Sequence, residues 1–390
     1  MSSAVALTPK QIASYIMRTT GPEQFYSQAF GINQPITVPK NIPLDSPLAD
    51  IFIRIKGRLT VTTTFANLPP EAPQNLLQSV RLVGTHKVLG SLVPIQMSGA
   101  TLFALNRVFG LRGNSIIING VRLPELNKPM GLGNAFFTVA GSPYDFSIIW
   151  RIPVYPYNVG DGRAIQYLLN ADMWGQSLQL QLATADLTAF GNGAGGSGVG
   201  TLSGFGSASG SPSLDVLLNY ASLGKLAPAI AQAVCVRNVF GINSILQANA
   251  NNQRLVLLQN QRTMNVVTKT GTILANTTAG VTVFGTLSDQ ITEQTILRVN
   301  NNPIRNLQYD DVTGEFYGSR ANGVQPTGYK NISFVDGFPA SHDQTAMKGD
   351  MLSPGAQFDI ATNVVAANAA NGGEVIQDMI YGEPVIAGQS

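Results

Sequence analysis

Residues 145–183 read DFSIIWRIPVYPYNVGDGRAIQYLLNADMWGQSLQLQLA. The stretch opens on an apolar run, residues 146–155, that is typical of a strand. It closes on residues 177–183, where polar and apolar side chains alternate as they do in a strand with one buried face. Between these runs, residues 163–174 predict a short helix. The stretch therefore predicts two strands joined through a helical connection.

Short strand-like runs continue on both sides of this stretch, separated by turn sequences. In the longest, residues 51–65, one side carries Ile53, Ile55, Leu59 and Val61, and the other carries Arg54, Lys56, Arg58 and three threonines. Further runs lie at 77–83, 87–95, 115–118, 135–140, 214–218, 254–259, 264–268, 280–287, 295–299, 330–335, 356–362 and 374–381. A second short helix is predicted over residues 100–109. Regularly spaced strands with so little helix predict all-β sandwiches or barrels.

Length and composition indicate two cores and a neutral surface. The chain has 390 residues, more than the roughly 250–300 at which a single core stops growing. Charged residues make up 12%, about half of the usual ~25%. A neutral polar surface favours extensive contact with neighbouring chains, because little charge has to be desolvated. A secreted β protein with an ordinary neutral surface remains the alternative.

Other counts limit the class of protein. The net charge of +2 indicates no global attraction to nucleic acid or membranes. The single cysteine, Cys235, excludes an intramolecular disulfide and is interpreted as a small core residue. No run of ~18 uncharged apolar residues predicts a spanning helix, and the N-terminus lacks the order of a signal peptide. We therefore expect a protein made and used without classical secretion.

The N-terminus predicts a capped amphipathic helix. Thr8 suits the N-cap, Pro9 the first helical position and Gln11 a capping box. The apolar stripe of this helix consists of Ile12, Tyr15 and Ile16, and Gly21-Pro22 ends it. So short a helix is not stable alone in water, so it must pack on its own body, a neighbouring chain or a membrane. The proline-spaced segment 35–47 predicts an extended lead-in.

A glycine-rich tract, residues 190–213, holds nine glycines in 24 positions. Its Gly193, Gly195 and Gly198 match a dinucleotide-binding spacing, but the glycines that follow oppose the helix that such a site requires. The tract could be a linker or a loop. Because strand-like runs flank it on both sides before residue 227, we predict a long, mobile loop at one end of the first sandwich.

No constellation of residues predicts catalysis. The two histidines, His86 and His342, lie in apparent turns, and no cluster of metal ligands surrounds either of them. The acidic residues Asp310, Asp311 and Glu315, with Glu374 and Glu383 beside the last strand, form no distinctive pair. We expect no enzyme activity, no catalytic or metal-binding residue and no cofactor. The basic side of residues 51–65 is interpreted as a solvated strand face, with contact to phosphates as the alternative.

The stretch with which we began resembles a known family. Residues 146–157, 163–170 and 176–182 resemble the F strand, FG helix and G strand of the first jelly roll in double jelly-roll major capsid proteins. These proteins build tailless icosahedral phages with an internal membrane, in the tectivirus-like lineage that includes adenovirus hexon. The resemblance implies two consecutive eight-stranded jelly rolls, a short N-terminal helix and a few short helices in loops. It divides the chain into an arm (1–48), a first roll with the 190–213 loop (49–226) and a second roll (227–390).

The resemblance also implies a function and partners. The chain would form homotrimeric, pseudo-hexagonal capsomers of an icosahedral virion shell, be made in the host cytoplasm and contact penton and minor capsid proteins. Ile12, Tyr15 and Ile16 would face neighbouring capsomers or an internal lipid membrane, and Arg54, Lys56 and Arg58 would form an interior basic face that recognises no specific nucleic-acid sequence. Two alternatives stay open: a trimeric receptor-binding or adhesin protein, and a secreted carbohydrate-binding β-sandwich.

The two halves of the sequence also echo each other. Residues 79–89 read as a strand, a turn and a second strand, SVRLVGTHKVL, and residues 296–305 repeat that order in ILRVNNNPIR. The match is short. It suggests a duplicated unit.

Overall fold

A computed structural model describes most of the first half of the chain and the strands of the second. The described residues are 20–62, 65–67, 71–108, 113–122, 142–155, 167–187, 192–193, 200–222, 236–244, 253–256, 262–273, 284–288, 292–299, 302–308, 327–333, 358–364 and 371–381. The predicted N-terminal helix, Cys235 and His342 lie outside these ranges.

Strands dominate the described residues, as the sequence predicts. In the first half they are β1 (Glu23–Ala29), β2 (Pro35–Thr37), β3 (Leu48–Val61), β4 (Phe65–Asn67), β5 (Leu77–His86), β6 (Gly90–Met97), β7 (Ser115–Ile118), β8 (Val121–Arg122), β9 (Pro143–Pro153), β10 (Gln179–Thr184), β11 (Asn192–Gly193), β12 (Gly200–Ser203) and β13 (Ser213–Tyr220). In the second they are β14 (Val236–Ser244), β15 (Gln253–Val256), β16 (Arg262–Ile273), β17 (Phe284–Leu287), β18 (Thr292–Val299), β19 (Asn302–Gln308), β20 (Tyr329–Ser333), β21 (Phe358–Val364) and β22 (Asn371–Tyr381). The helices are α1 (Gly99–Val108), α2 (Ala171–Trp174) and one 3₁₀ turn, Gln74–Leu76.

The first half is a sandwich whose strands follow a fixed order. One sheet runs β1-β13-β3-β9-β7-β8, and the other carries β6-β5-β10-β2. The period-2 pattern of β3 decides which side is buried, since Ile53, Ile55 and Leu59 are fully inaccessible while Arg54, Lys56 and Arg58 are partly exposed. Trp150 and Phe146 on β9 fill the same core and are also inaccessible.

The second half repeats that order strand for strand. Its strands run β14-β22-β16 with β20 beside β16, and β15-β21-β18-β19 in the other sheet. In each half, the main strands that come first, third, sixth and last along the chain therefore lie in one sheet. The echo in the sequence falls on equivalent hairpins, β5–β6 and β18–β19. The repeated topology supports the interpretation of the two halves as a duplicated unit.

One sheet continues from the first half into the second. Strands β6 and β14 pair in parallel, with Ile95 opposite Val239 and Gln96 opposite Phe240, so that a nine-stranded sheet spans both halves. Val239 and Ile376 pack into the same hydrophobic core as the first sandwich. The two halves are therefore joined by backbone pairing and by a shared core.

The segment predicted as an extended lead-in forms strands of the first sandwich. Strand β1 pairs with β13, and β2 pairs with β10. The interpretation of residues 22–48 as part of an arm is therefore wrong, and the first sandwich starts near Glu23. The sequence hid these strands because β1 is a polar edge strand without a buried alternation, and β2 spans three residues.

The predicted helix 163–174 is much shorter in the structure. Residues 163–166 lie outside the described ranges, and Leu169 pairs with Leu48 through two backbone hydrogen bonds of 2.8 and 3.2 Å. Helix α2 begins only at Ala171, where the Asn170 side chain accepts the Met173 amide as an N-cap. Leu168 and Leu169 are both buried, so these apolar residues do not form one helical stripe.

The helix predicted at 100–109 is confirmed as α1, apart from Phe109, which lies outside the described residues. Ser98 caps it, since its hydroxyl accepts the Thr101 amide at 3.2 Å. A Cβ at Gly99 would lie 2.5 Å from the Leu77 carbonyl oxygen, so only glycine lets the helix start this close to β5.

The described part of the glycine-rich tract extends a strand. β12 and β13 lie end to end along the same edge of β3, with Ser203 opposite Arg58 and Ser213 opposite Lys56. Residues 204–212 form a loop outside the sheet that connects β12 to β13. Because β12 and β13 belong to one sheet, the tract does not link the two halves, as predicted. Of its described residues, 200–203 and 213 pair with β3, so the predicted loop is narrowed there to residues 204–212.

Candidate functional site

The outer face of β3, with its three predicted basic residues, is covered by ion pairs. Arg54 lies opposite Asp215 of β13; its Nε donates a hydrogen bond to Asp215 Oδ2 at 2.9 Å, and its Nη2 lies 2.8 Å from the same oxygen. Arg58 lies opposite Asp145 of β9 and donates two hydrogen bonds of 2.8 Å. Lys56 stands between them on the same face, and no described carboxylate pairs with it.

A third pair completes the row at the other end of β3. The Arg151 Nε donates to Asp50 Oδ1 at 2.7 Å, and the Asn219 side-chain amide donates to Asp50 Oδ2 at 3.0 Å. Three aspartates thus oppose three arginines on this face. The pairing disfavours binding of phosphates, because each guanidinium already holds a carboxylate, and Arg58 holds its partner in a bidentate geometry. The sequence could not show this, since Arg54 and Asp215 are 161 positions apart.

Asp145 also anchors two loops, one through its carboxylate and one through its backbone. Its Oδ1 accepts the Gly206 amide at 2.9 Å, which draws residues 204–212 across the sheet. On the backbone, the Asp145 amide donates to Asn119 Oδ1 at 2.9 Å, and the Asn119 amide donates to the Asp145 carbonyl at 2.8 Å. Hydrogen bonds from Arg58, above all, lower the pKa of Asp145. The carboxylate therefore stays charged well into the acid range.

Three large exposed apolar side chains lie at this end of the first sandwich. Phe205 is 54% exposed in the 204–212 loop, and Val121 is 55% exposed beside the Asn119-Gly120 turn. Ile32, 40% exposed, follows β1, whose end is tied to the same loop by the Phe30 amide and the Pro212 carbonyl. We call these three residues the apolar end. A fourth exposed side chain, Val88, caps the β5–β6 hairpin at the opposite end of its sheet.

His86 is buried, so its interpretation as a solvated turn residue is wrong. The ring is 1% exposed and packs edge-on against Trp174, with centroids 5.1 Å apart. Its Nδ1 accepts the backbone amides of Val88 and Leu89 at 3.3 and 3.1 Å, which requires a neutral ring. Burial lowers the pKa of His86. The side chain has a structural role in the hairpin.

Most of the other residues that the sequence analysis considered lie outside the described ranges. Asp310, Asp311, Glu315 and Glu383 lie outside the described ranges, as do Ile12, Tyr15 and Ile16. Glu374 is buried between the two halves and faces Lys269. In the part of the chain that the structure covers, histidine, cysteine and carboxylate side chains form no group of three or more that could hold a metal ion. None of the helices in that part is long and apolar enough to cross a membrane.

No protein-family model and no curated protein matches the chain. Solved structures do match, along almost its whole length. The MCP of STIV, the Sulfolobus Turreted Icosahedral Virus, superposes with a TM-score of 0.57 at 14% identity, over 94% of this chain and 97% of that one. PBCV-1 VP54 gives 0.57 at 14% identity, over 94% of each chain. The major capsid protein P2 from bacteriophage PM2 gives 0.52 at 9% identity, over 94% of this chain and 98% of that one.

The chain has the double jelly-roll fold. The strand letters of a jelly roll, B to I, follow from the sheet order B-I-D-G and C-H-E-F. In the first roll β9 lies beside β3 and β10 between β5 and β2, so they take the G and H positions. The assignment of the 145–183 stretch as F strand, FG helix and G strand is therefore wrong by one letter. Strand F of the first roll is β6, so the helix that follows strand F is α1.

Proposed function

We propose that this chain is a major capsid protein that assembles as homotrimeric, pseudo-hexagonal capsomers into an icosahedral virion shell. The observation that carries the proposal is the double jelly roll itself, matched along 94% of the chain to viral capsid proteins. Two similar rolls in each chain give a trimer six similar sandwiches, which suits hexagonal packing. The role is structural and involves no catalysis.

Surface composition agrees with this role. Only 12% of the residues are charged, and the described acidic and basic side chains of the first sheet are largely paired with one another. A neutral surface is buried at little desolvation cost when copies associate. The apolar end offers three large side chains that water solvates poorly. We place one contact between copies there.

Further partners follow from the same proposal. Penton and minor capsid proteins would complete the shell, and the chain would be made in the host cytoplasm before it enters the virion. The N-terminal stripe of Ile12, Tyr15 and Ile16 would contact neighbouring capsomers or an internal lipid membrane. Given their pairing with aspartates, Arg54 and Arg58 would contribute little to an interior basic face.

Mass measurement and imaging test the proposal. We expect a species of three times the 41.3 kDa chain mass in solution, and hexagonal particles that tile into sheets or shells in negative stain at high concentration. A trimer that never tiles would support a receptor-binding or adhesin protein instead. A stable monomer that binds glycans would support the carbohydrate-binding alternative.

Removal of the N-terminal segment tests its role in assembly. The Thr20 amide donates to the Tyr220 carbonyl at 3.0 Å, and the Gly21 amide donates to Asn219 Oδ1 at 3.2 Å, so the deletion should stop at residue 19. We expect this variant to form trimers but to assemble shells poorly. Loss of trimer folding would show that residues 1–19 belong to the core.

A further inference from the structure

Five polar side chains are buried together where the two rolls meet. Lys269 on β16 lies directly opposite Tyr329 on β20 and Glu374 on β22, so these three form a row across adjacent strands of the second roll. The first roll supplies Glu71, just before the 3₁₀ turn, and Thr101 on α1. Each of the five residues is 3% exposed or less. Water therefore has almost no access to the cluster.

The contacts in the cluster converge on one carboxyl group. The Lys269 Nζ lies 2.5 Å from Glu71 Oε2, and the Tyr329 hydroxyl donates a hydrogen bond to Glu71 Oε1. The second carboxylate is close by, with Glu374 Oε2 at 4.0 Å from Lys269 Nζ and bonded by the Thr101 hydroxyl at 2.5 Å. One amine and two carboxyl groups thus share an enclosed space.

Such a cluster is costly as a set of ions. Buried charges lose their hydration, and two carboxylates facing one ammonium leave an excess negative charge. Burial raises the pKa of Glu374, which eases that excess because the group can hold a proton. The Lys269 and Glu71 charges would still remain. Condensation of the two groups to an amide would remove both.

We propose that Lys269 and Glu71 form an intramolecular isopeptide bond that joins the two rolls covalently. Lys269 Nζ forms a bond to Glu71 Cδ, the bond from Cδ to Oε2 breaks, and one water molecule leaves. An ammonium and a carboxylate become an amide and water, so atoms and charge balance without any oxidant or co-reactant.

The neighbouring side chains have defined roles in this step. One proton passes from Lys269 Nζ to Glu71 Oε2, which lie 2.5 Å apart, and leaves a neutral amine beside a neutral carboxyl group. Attack of the amine on Cδ then places negative charge on Glu71 Oε1, where the Tyr329 hydroxyl already donates. The Glu374 carboxylate, 4.0 Å from Nζ, takes the second proton from the nitrogen and gives it to Oε2, which leaves as water. Glu374 is thus a proton carrier, and Tyr329 stabilises the developing oxyanion.

Intact mass of the purified full-length chain tests the bond. We expect the denatured protein to be lighter than its sequence by the mass of one water molecule, after allowance for any removal of Met1. Tryptic digestion should yield residues 59–81 linked to residues 263–298, because a modified Lys269 is no longer cleaved. A full-mass chain, with free peptides 59–81 and 263–269, would overturn the proposal.

Substitutions locate the chemistry. Lys269→Met should restore the full mass, whereas Lys56→Met, which removes a lysine from the outer face of β3, should leave the linked peptide unchanged. Glu374→Gln keeps the size of the side chain but cannot carry a proton in this way, so we expect most of the link to be lost. Complete linkage in Glu374→Gln would overturn the role given to Glu374. Because the wild-type mass decides whether the bond exists, a misfolded variant leaves the test intact.

Discussion

Arg58 and Asp145 form a bidentate ion pair across neighbouring strands, with both nitrogen–oxygen distances at 2.8 Å. The same carboxylate accepts the Gly206 amide, so one side chain ties strand β3, strand β9 and the 204–212 loop together. The pair is about one-fifth exposed on each side. Its main effect is therefore on local order, since partly exposed pairs contribute little to global stability.

Asp145→Asn should loosen the 204–212 loop without unfolding the sandwich. The variant cannot offer two charged acceptors to Arg58, and its hold on the Gly206 amide weakens. We expect faster hydrogen exchange at Gly206, with unchanged protection in β9. Asp172→Asn, an exposed carboxylate on α2, serves as the matched control and should leave exchange at Gly206 as it is. Equal exchange in both variants would contradict the anchoring role.

His86 should make the fold sensitive to mild acid. Its pKa in the folded chain lies below the ordinary 6.5, so the unfolded chain binds the proton more readily. Stability is therefore intact above pH 6.5 and falls as the pH drops from 6.5 towards the lowered pKa. Urea unfolding between pH 8 and 5 measures this loss.

His86→Asn provides the comparison for that titration. The asparagine oxygen can accept the turn amides in place of Nδ1, and it does not titrate in this range. We expect a flatter pH dependence in this window. If the wild type and His86→Asn lose stability in parallel, other groups cause the acid sensitivity.

Trp150 should be among the most costly positions to truncate. The side chain is fully buried on β9 at the centre of the first sandwich. Trp150→Ala should lower the free energy of unfolding by about 3–5 kcal/mol, through lost burial and a residual cavity. Val121→Ala, at an exposed site, should change it by less than about 0.5 kcal/mol. Chemical denaturation at a fixed protein concentration distinguishes these outcomes.

The apolar end should matter for association more than for folding. Phe205→Ser removes an exposed aromatic ring that the fold does not need, so thermal unfolding of the single chain should be unchanged. We expect weaker self-association, measured by sedimentation velocity over a dilution series. Val88→Ser, at the opposite end of the sheet, is the control. An equal loss in both variants would show that neither end is the specific contact.

Limited proteolysis tests how the glycine-rich tract is held. Because β12 and β13 pair with β3 on either side of the 204–212 loop, a chain cut within the tract should stay one particle. We expect the fragments to co-elute in gel filtration and to separate only in denaturant. Release of two folded halves would mean that the tract links them after all.

The sequence predicts those elements whose burial alternates within a single strand. Ile53, Ile55 and Leu59 mark β3 because one face of it meets the core along its whole length. Strand β16 is predicted only over 264–268, since Lys269 and Thr270 read as its polar end. Lys269 is buried because Glu71 of the first roll covers it, whereas the Thr270 hydroxyl donates to the Ser288 carbonyl; both are tertiary contacts that no local pattern contains.

The site was less predictable than the fold for the same reason. The three basic residues of β3 are visible in the sequence, but Asp215 and Asp145 become the partners of Arg54 and Arg58 only through strand order. His86 was misplaced in the other direction. The sequence predicts a solvated turn there, but His86 ends strand β5, and Trp174 of a distant segment covers its ring.

The sheet that passes from β6 into β14 couples the two rolls by backbone pairing. Rotation of one roll against the other would break the backbone pairing of β6 with β14 and expose the buried cluster around Lys269. We therefore expect each chain to move as one rigid body. In a shell built from such rigid chains, curvature has to arise at the contacts between chains. The angle at those contacts would then determine the size of the shell.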